Sequence, residues 1–543
     1  MGAITIFEAK TILTMTRHRP HATHVAVRDG QILAVGTLEE VSGWGPYELD
    51  TSLADKVLMP GFVEGHCHLP EGGIWRYLYT GYHARIDPHG RHWDGIGTIE
   101  GVIARMKERD AELSPDEALI AWGFDPIFLG AQRPTRHDLD QVSTIRPIVM
   151  IHSNFHVLTA NTAALDLAAF PDDLDMDGLV RGEDGRPSGE LQEMAAMFPV
   201  MRRVGVDFRD LARHRPELYL FGKACIRAGV TTATDLYNSL PEEDVQTLLT
   251  VTAEPEFPVR IVPSLNTLSA PPDEIVARAL ELRGRSTDKL RLGQVKLMTD
   301  GSIQAFTARL LEPGYYSGAP NGIWNIAPEA LDVLVEKLVA AGIQMHIHTN
   351  GDEATEVTLN AIEKALERHN QPDHRHVLQH VQMARPNQFA RMKALGMCAN
   401  LFANHLYYFG DQHAAITMGL DRASRMNACR TALDMGVPLA IHSDAPVTPL
   451  APLTTAWAAV NRLTGTGQVL GEAERITVAE ALHAITLGAA YTLKLDHEIG
   501  SIEVGKRADF TVLDEDPTKV APEALKDVPV WGTVLGGVVQ PVT

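Results

Sequence analysis

Residues 57–69 read VLMPGFVEGHCHL, an apolar run that breaks at Pro60 and Gly61, resumes at Phe62 and Val63, and ends on two histidines one residue apart. On an extended chain successive side chains point to opposite faces, so His66 and His68 share a face and Cys67 takes the other. Further apolar runs close on residues that can bind a metal or move a proton: Lys296 in GQVKLMTDG, His348 in IQMHIHTNGD, His380 in RHVLQH and Asp444 in LAIHSDAP. A barrel of parallel strands gathers the C-terminal ends of its strands into one ring, where such folds keep their active sites. After VEGHCHL, strands are predicted at 231–237, 260–265, 294–300, 344–350, 375–381, 397–404 and 438–444, which makes eight.

Amphipathic helical stretches separate most of these runs, for example PEALDVLVEKLVAAG before the fifth and EATEVTLNAIEKALERHN after it, with Gly342 and Gly396 placed to end helices. Eight strand-plus-helix units predict an α/β fold, a (β/α)8 TIM barrel over residues 61–495. One connection is far too long for a loop: about 160 residues lie between the first and second strands. Residues 75–215 are therefore expected to form an inserted cap subdomain, in which Trp75, Trp93 and Trp122 read first as core.

Both ends of the chain alternate apolar and polar residues in short pieces: AITIFEAKTILTM, THVAVRDGQILAVG and KVLMPGF at the start, GSIEVGKRADFTVLD and VWGTVLGGVVQP at the end. Asp29-Gly30 marks a hairpin between two of them. Residues 1–60 and 496–543 are expected to join in a composite β-sandwich outside the barrel.

A chain of 543 residues with 45% hydrophobic content has ample core, and its net charge of −21 disfavours nucleic acid and anionic membrane as partners. No run approaches the ~20 apolar residues of a membrane helix, and the N-terminus lacks the pattern of a secretory signal. The four cysteines show no CxxC spacing, so a thiolate metal site is not expected. A cytoplasmic protein acting on a small molecule is the expectation, with a homodimer as an admissible assembly.

Imidazole nitrogens and carboxylate oxygens at the barrel mouth form the donor set of a divalent ion, with zinc the first choice and one or two ions allowed. Of paired candidates the more C-terminal lies nearer the mouth, which favours His348 over His346 and Asp444 over His442. His346 and His442 then stand behind the ligands or touch substrate. Lys296 is the odd member: its amine has either added CO2 to become a carbamate that bridges metals, or it is a charge unrelated to metal. Asp444 is best placed as general base, since a bound ion lowers the pKa of water from ~15.7 to around 7 and a neighbouring carboxylate can take its proton. Ordinary histidines near pKa ~6.5 would release the metal as pH falls through about 6.

In combination, PGFVEGHCH, VKLMTDGSIQAFTARL, HIHTNGD, RHVLQH, HSDAPVTP and the closing GSIEVGKRADFTVLD resemble the amidohydrolase superfamily. Within it they are similar to the YtcJ-like branch, amidohydrolase family 3, which includes N-substituted formamide deformylase. The resemblance covers nearly the whole chain and implies a barrel with a composite β-sandwich. It also implies metal positions at His66, His68, Lys296, His348, His380 and Asp444, a carboxylated Lys296, and Asp444 as the base. Two segments, GSIQAFTARL and HTNGD, depart from many relatives. Asp300, Gln304, Arg309 and Asn350 in them are the candidates for substrate contact.

The expected activity is metal-dependent hydrolysis of a non-peptide amide C–N bond. Deamination, or opening of a cyclic imide or lactam, uses the same site with a different leaving group. A catalytically silent regulatory or binding relative is the third reading, disfavoured because all six positions are intact.

Overall fold

The structure is a computed structural model that describes the 543-residue chain apart from Met1, Ala131, 171–173, Asp175 and Asp177. It divides into two compact units, Met1–His68 with Gly222–Thr543, and Leu69–Phe221.

The first unit is built on eight parallel strands: β1 Phe62–Glu64, β2 Val230–Asn238, β3 Arg260–Asn266, β4 Gln294–Met298, β5 Met345–Thr349, β6 Val377–His380, β7 Cys398–Leu401 and β8 Leu439–Ile441. Each pairs with the next in chain order to form one curled parallel sheet. Past the ends of β8 and β1, Cys67 bridges Ala445 in parallel, His68 N donates to Ala445 O at 2.8 Å, and Asp444 N donates to His66 O at 3.0 Å. This barrel-like sheet has its strands where the apolar runs predict them. Register carries the polar residues to common levels, since Lys296 pairs with His346, His348 with Gln379, and Gln379 with Asn400.

The helix Pro328–Ala340 shows why the outer layer forms. Leu331, Leu334, Val335, Leu338 and Val339 are buried, the spacing of one apolar stripe. It ends at Gly342, whose φ of +67° is open to glycine, and Ile343 N reaches back to Leu338 O at 3.1 Å.

The chain ends pair with each other, in a single sheet where the sequence predicts a composite β-sandwich. Its eight strands include Ile4–Leu13, His21–Arg28, Gln31–Gly36 and Val57–Pro60 from the start and Phe510–Leu513, Val530–Leu535 and Val538–Pro541 from the end. Val57–Pro60 pairs antiparallel with Phe510–Leu513. The expected turn at Asp29-Gly30 has positive φ at both residues, 54° and 75°, as a two-residue hairpin requires. Phe7, Ile12, Val25, Leu58, Phe510 and Val512 belong to its core cluster.

A buried ion pair ties this sheet to the barrel-like one. Arg260 on β3 donates from Nη1 to Asp509 Oδ2 at 2.6 Å and to Thr232 Oγ1 at 3.0 Å, while Asp509 Oδ1 accepts from Gly536 N at 2.8 Å. Both side chains are 2% exposed. Asp509→Ala would leave the buried Arg260 with only the longer ion contact to Asp288, 3.6 Å from Nη2, so it is expected to cost about 3 kcal/mol in urea unfolding. A loss below about 1 kcal/mol would show that water reaches Arg260.

The second unit, Leu69–Phe221, holds a six-stranded mixed sheet. Leu78–Tyr79, Leu119–Phe124 and Ile148–His152 run parallel, and Val157–Ala160, Pro187–Gln192 and Leu179–Arg181 continue antiparallel. Trp122 is fully buried in its core, with Trp75 and Trp93 packed against the same cluster. Among the described residues, no helix is long and apolar enough to cross a membrane.

Candidate metal centre

Past the end of β8, Asp444 meets histidines from the ends of β1 and β6. Its Oδ1 lies 3.3 Å from His66 Nε2 and 3.2 Å from His68 Nε2, and its Oδ2 lies 3.8 Å from His380 Nδ1. Lys296 Nζ is 3.4 Å from His66 Nε2. His66, His68 and Asp444 each place a donor atom within 4.8 Å of the others, and so do His66, His380 and His442.

These groups fit a divalent ion. Burial, reinforced by the Lys296 charge, holds His66 and His442 well below the ordinary imidazole range. His380 is held down in the same way, by burial and by His348. Their rings are therefore neutral, the form that coordinates. His380 Nδ1 and both nitrogens of His442 are buried without a hydrogen-bond partner, although such atoms cost about 1–3 kcal/mol each. Proton competition at His66, His380 and His442 thus sets in at lower pH than free histidines suggest.

Backbone strain at two strand ends aims the ligands. His380 has φ +67° and Asp444 has φ +55°, a region disfavoured for residues with a Cβ. At His380 the chain closes a three-residue turn, Val381 N donating to Gln379 O at 2.9 Å. Strict alternation is broken there. Gln379 and His380 are neighbours, yet both serve His66: one bonds its Nδ1 and the other packs its ring at 4.5 Å.

Behind the ligands runs a hydrogen-bond chain the sequence reading missed. Gln379 Oε1 accepts from His66 Nδ1 at 2.9 Å and from Asn400 Nδ2 at 2.9 Å. Gln379 Nε2 donates to His346 Nδ1 at 2.8 Å, and His346 Nε2 reaches Gln294 Oε1 at 3.1 Å. The proton of His66 is thereby fixed on Nδ1, leaving the Nε2 lone pair toward Asp444. Burial pushes His346 down to about 3. Glu64 ties β1 to the segment after β8, accepting from Ser443 Oγ at 2.9 Å and Ser443 N at 3.2 Å. Burial pushes its carboxyl up to about 8.

The remaining predicted residues are more dispersed. His348 packs its ring 4.5 Å from His380, but its Nε2 sits 3.2 Å from Gly301 O and 3.1 Å from Asn350 Nδ2. Asp300 is fully buried and accepts from the backbone of Arg309, Asn350 and Gly351 at 3.0, 3.0 and 2.9 Å. Burial pushes it up to about 7 against the pull of those three donors. Arg309 pairs with Glu353 through two bonds of 3.0 and 3.1 Å and donates to Gly322 O, so its guanidinium organises the loop. Gln304 is buried, and Asn350 Oδ1 is buried with no hydrogen-bond partner. His442 packs its ring against His66 and His380. Gln379, Asn400 and Glu64 carry one legible signal: each is a polar residue inside an otherwise apolar strand.

The amidohydrolase family model matches residues 52–540. The chain belongs to the amidohydrolase family. Among its relatives is the putative amidohydrolase YtcJ of Bacillus subtilis, 28% identical over 98% of this chain and 98% of that protein. N-substituted formamide deformylase of Arthrobacter pascens is 26% identical over 97% of this chain and 96% of the enzyme. An uncharacterized metal-dependent hydrolase from Pyrococcus horikoshii shares the fold, with a TM-score of 0.71, 22% identity, and coverage of 96% of this amidohydrolase and 99% of that chain.

Proposed function

We propose that this amidohydrolase is a metal-dependent hydrolase of a non-peptide amide C–N bond, acting on a small molecule. The observation that carries the reading is the convergence of His66, His68 and His380 on one carboxylate, Asp444, with the Lys296 amine beside His66. Kinship with N-substituted formamide deformylase supports an amide as the substrate class. A divalent ion held by these residues supplies Lewis acidity, which acidifies water and polarises the amide carbonyl.

The chain's own residues do the rest. Asp444 takes the proton of the attacking water at a carboxylate oxygen and returns a proton to the leaving nitrogen. His66 and His68, fixed on one strand extension, present Nε2 beside Asp444 Oδ1 and would hold the ion together with that carboxylate. Burial pushes the Lys296 amine down to about 7, so a substantial neutral fraction exists at neutral pH to add CO2. That addition forms an N–C bond, releases one proton and yields a carbamate that offers two oxygen donors beside His66.

A panel of N-formyl and N-acyl amines, cyclic imides and aminated heterocycles tests the substrate class. Turnover confined to acyclic amides is expected. Turnover confined to aminated rings would replace the reading with deamination.

Gln379 makes a separate prediction. Gln379→Leu removes the acceptor that holds the His66 proton on Nδ1, and metal affinity should fall about 10- to 100-fold. Gln379→Glu, which keeps an acceptor there, should retain most of it. Competition with a chromogenic chelator reads both, and unchanged affinity in the leucine variant would mean that packing alone orients the ring.

A further inference from the structure

His442 lies two residues before Asp444, just past β8, and has no exposed surface. One face of its ring stacks on His66 at 4.6 Å and 20°, and Phe402 stacks on it at 4.8 Å and 29°. Neither of its nitrogens has a hydrogen-bond partner. A residue standing behind the ligands would orient one of them through a hydrogen bond, as Gln379 does for His66. His442 makes no such bond. Water does not fill the gap either, because the ring presents no surface for it to touch.

What His442 does face is other nitrogens. His380 packs 5.0 Å away at 64° with its own Nδ1 unpartnered, and one donor atom each from His66, His380 and His442 falls within 4.8 Å of the others. Three buried imidazoles with nitrogens this close and with His380 Nδ1 and both His442 nitrogens unpartnered are stabilised by a cation between them. A divalent ion bonded at about 2.0–2.1 Å to each nitrogen fits where a water does not.

We propose that His442 is a metal ligand, completing a set of three imidazoles with His66 and His380. Because Gln379 occupies His66 Nδ1, His66 has one nitrogen to give. The triplet with His442 and the triplet with His68 and Asp444 therefore meet at a single ion. The inference rests on the metal centre proposed above and adds to it a donor that the sequence comparison did not assign.

Metal content and affinity of the full-length protein test it, in wild type, His442→Ala and His66→Ala, with Co(II) as the probe ion. In His442→Ala, affinity should fall by more than the ~100-fold that loss of a supporting partner costs, and the Co(II) absorption should change shape. X-ray absorption of the unaltered Co(II) protein should count at least three imidazoles, which keeps the test valid if the variant folds poorly. A His442→Ala protein that binds Co(II) with wild-type affinity and spectrum, while His66→Ala loses it, overturns the role of His442 alone. Full Co(II) binding by His66→Ala overturns the metal centre itself.

Discussion

Replacing Asp444 by asparagine is expected to lower kcat about 10²- to 10⁴-fold while the protein keeps its metal. The amide has nearly the shape of the carboxylate and leaves an oxygen where Oδ1 now lies, 3.3 Å from His66 Nε2 and 3.2 Å from His68 Nε2. The ability to accept a proton disappears together with the negative charge, while one oxygen donor remains. The side chain projects from a backbone at φ +55°, a conformation asparagine tolerates better than most residues, so the strand end should hold its shape. Metal analysis beside steady-state kinetics decides the matter. Wild-type turnover in a metal-loaded variant would remove Asp444 as base, and loss of metal together with turnover would make it chiefly a ligand.

Stripping the ion with a strong chelator is expected to abolish turnover, and adding a divalent ion back should restore it. The pH at which metal leaves is the more searching measurement. A proton competes with a metal only at a nitrogen that can hold it, and burial keeps His66, His380 and His442 well below the ordinary imidazole value. The folded protein binds fewer protons at these sites than free histidines would. Competition is therefore absent at neutral pH and grows only as pH falls toward the depressed values. Metal content should stay constant from pH 8 to about 6 and decline below that. A steep loss between pH 7 and 6 would show the imidazoles to be open to water. Turnover by protein verified as metal-free would end the hydrolase reading altogether.

Much of the site was readable because its chemistry is local. HxH on an extended chain puts His66 and His68 on one face whatever the fold, and an apolar run ending in a polar residue marks the rim of a parallel barrel. Lys296, His380 and Asp444 were found that way. Alternation fails where the backbone leaves the extended region, which is why Gln379 and His380 could not both be assigned inward from their spacing. Asp300 and Arg309 show the opposite case: residues that look chemically able are taken up by loop amides and by Glu353.

Periodicity and donor spacing thus determined the eight-strand order, the pairing of the two chain ends in one sheet, and most of the residues around Asp444, because each follows from where side chains point along a few neighbouring residues. Only the tertiary structure decided which nitrogen of His66 carries its proton and that the buried ring of His442 stacks on His66 and Phe402 with neither nitrogen hydrogen-bonded. Those depend on distances between strands far apart in the chain, set by packing and by strained turns at His380 and Asp444 that no local pattern encodes.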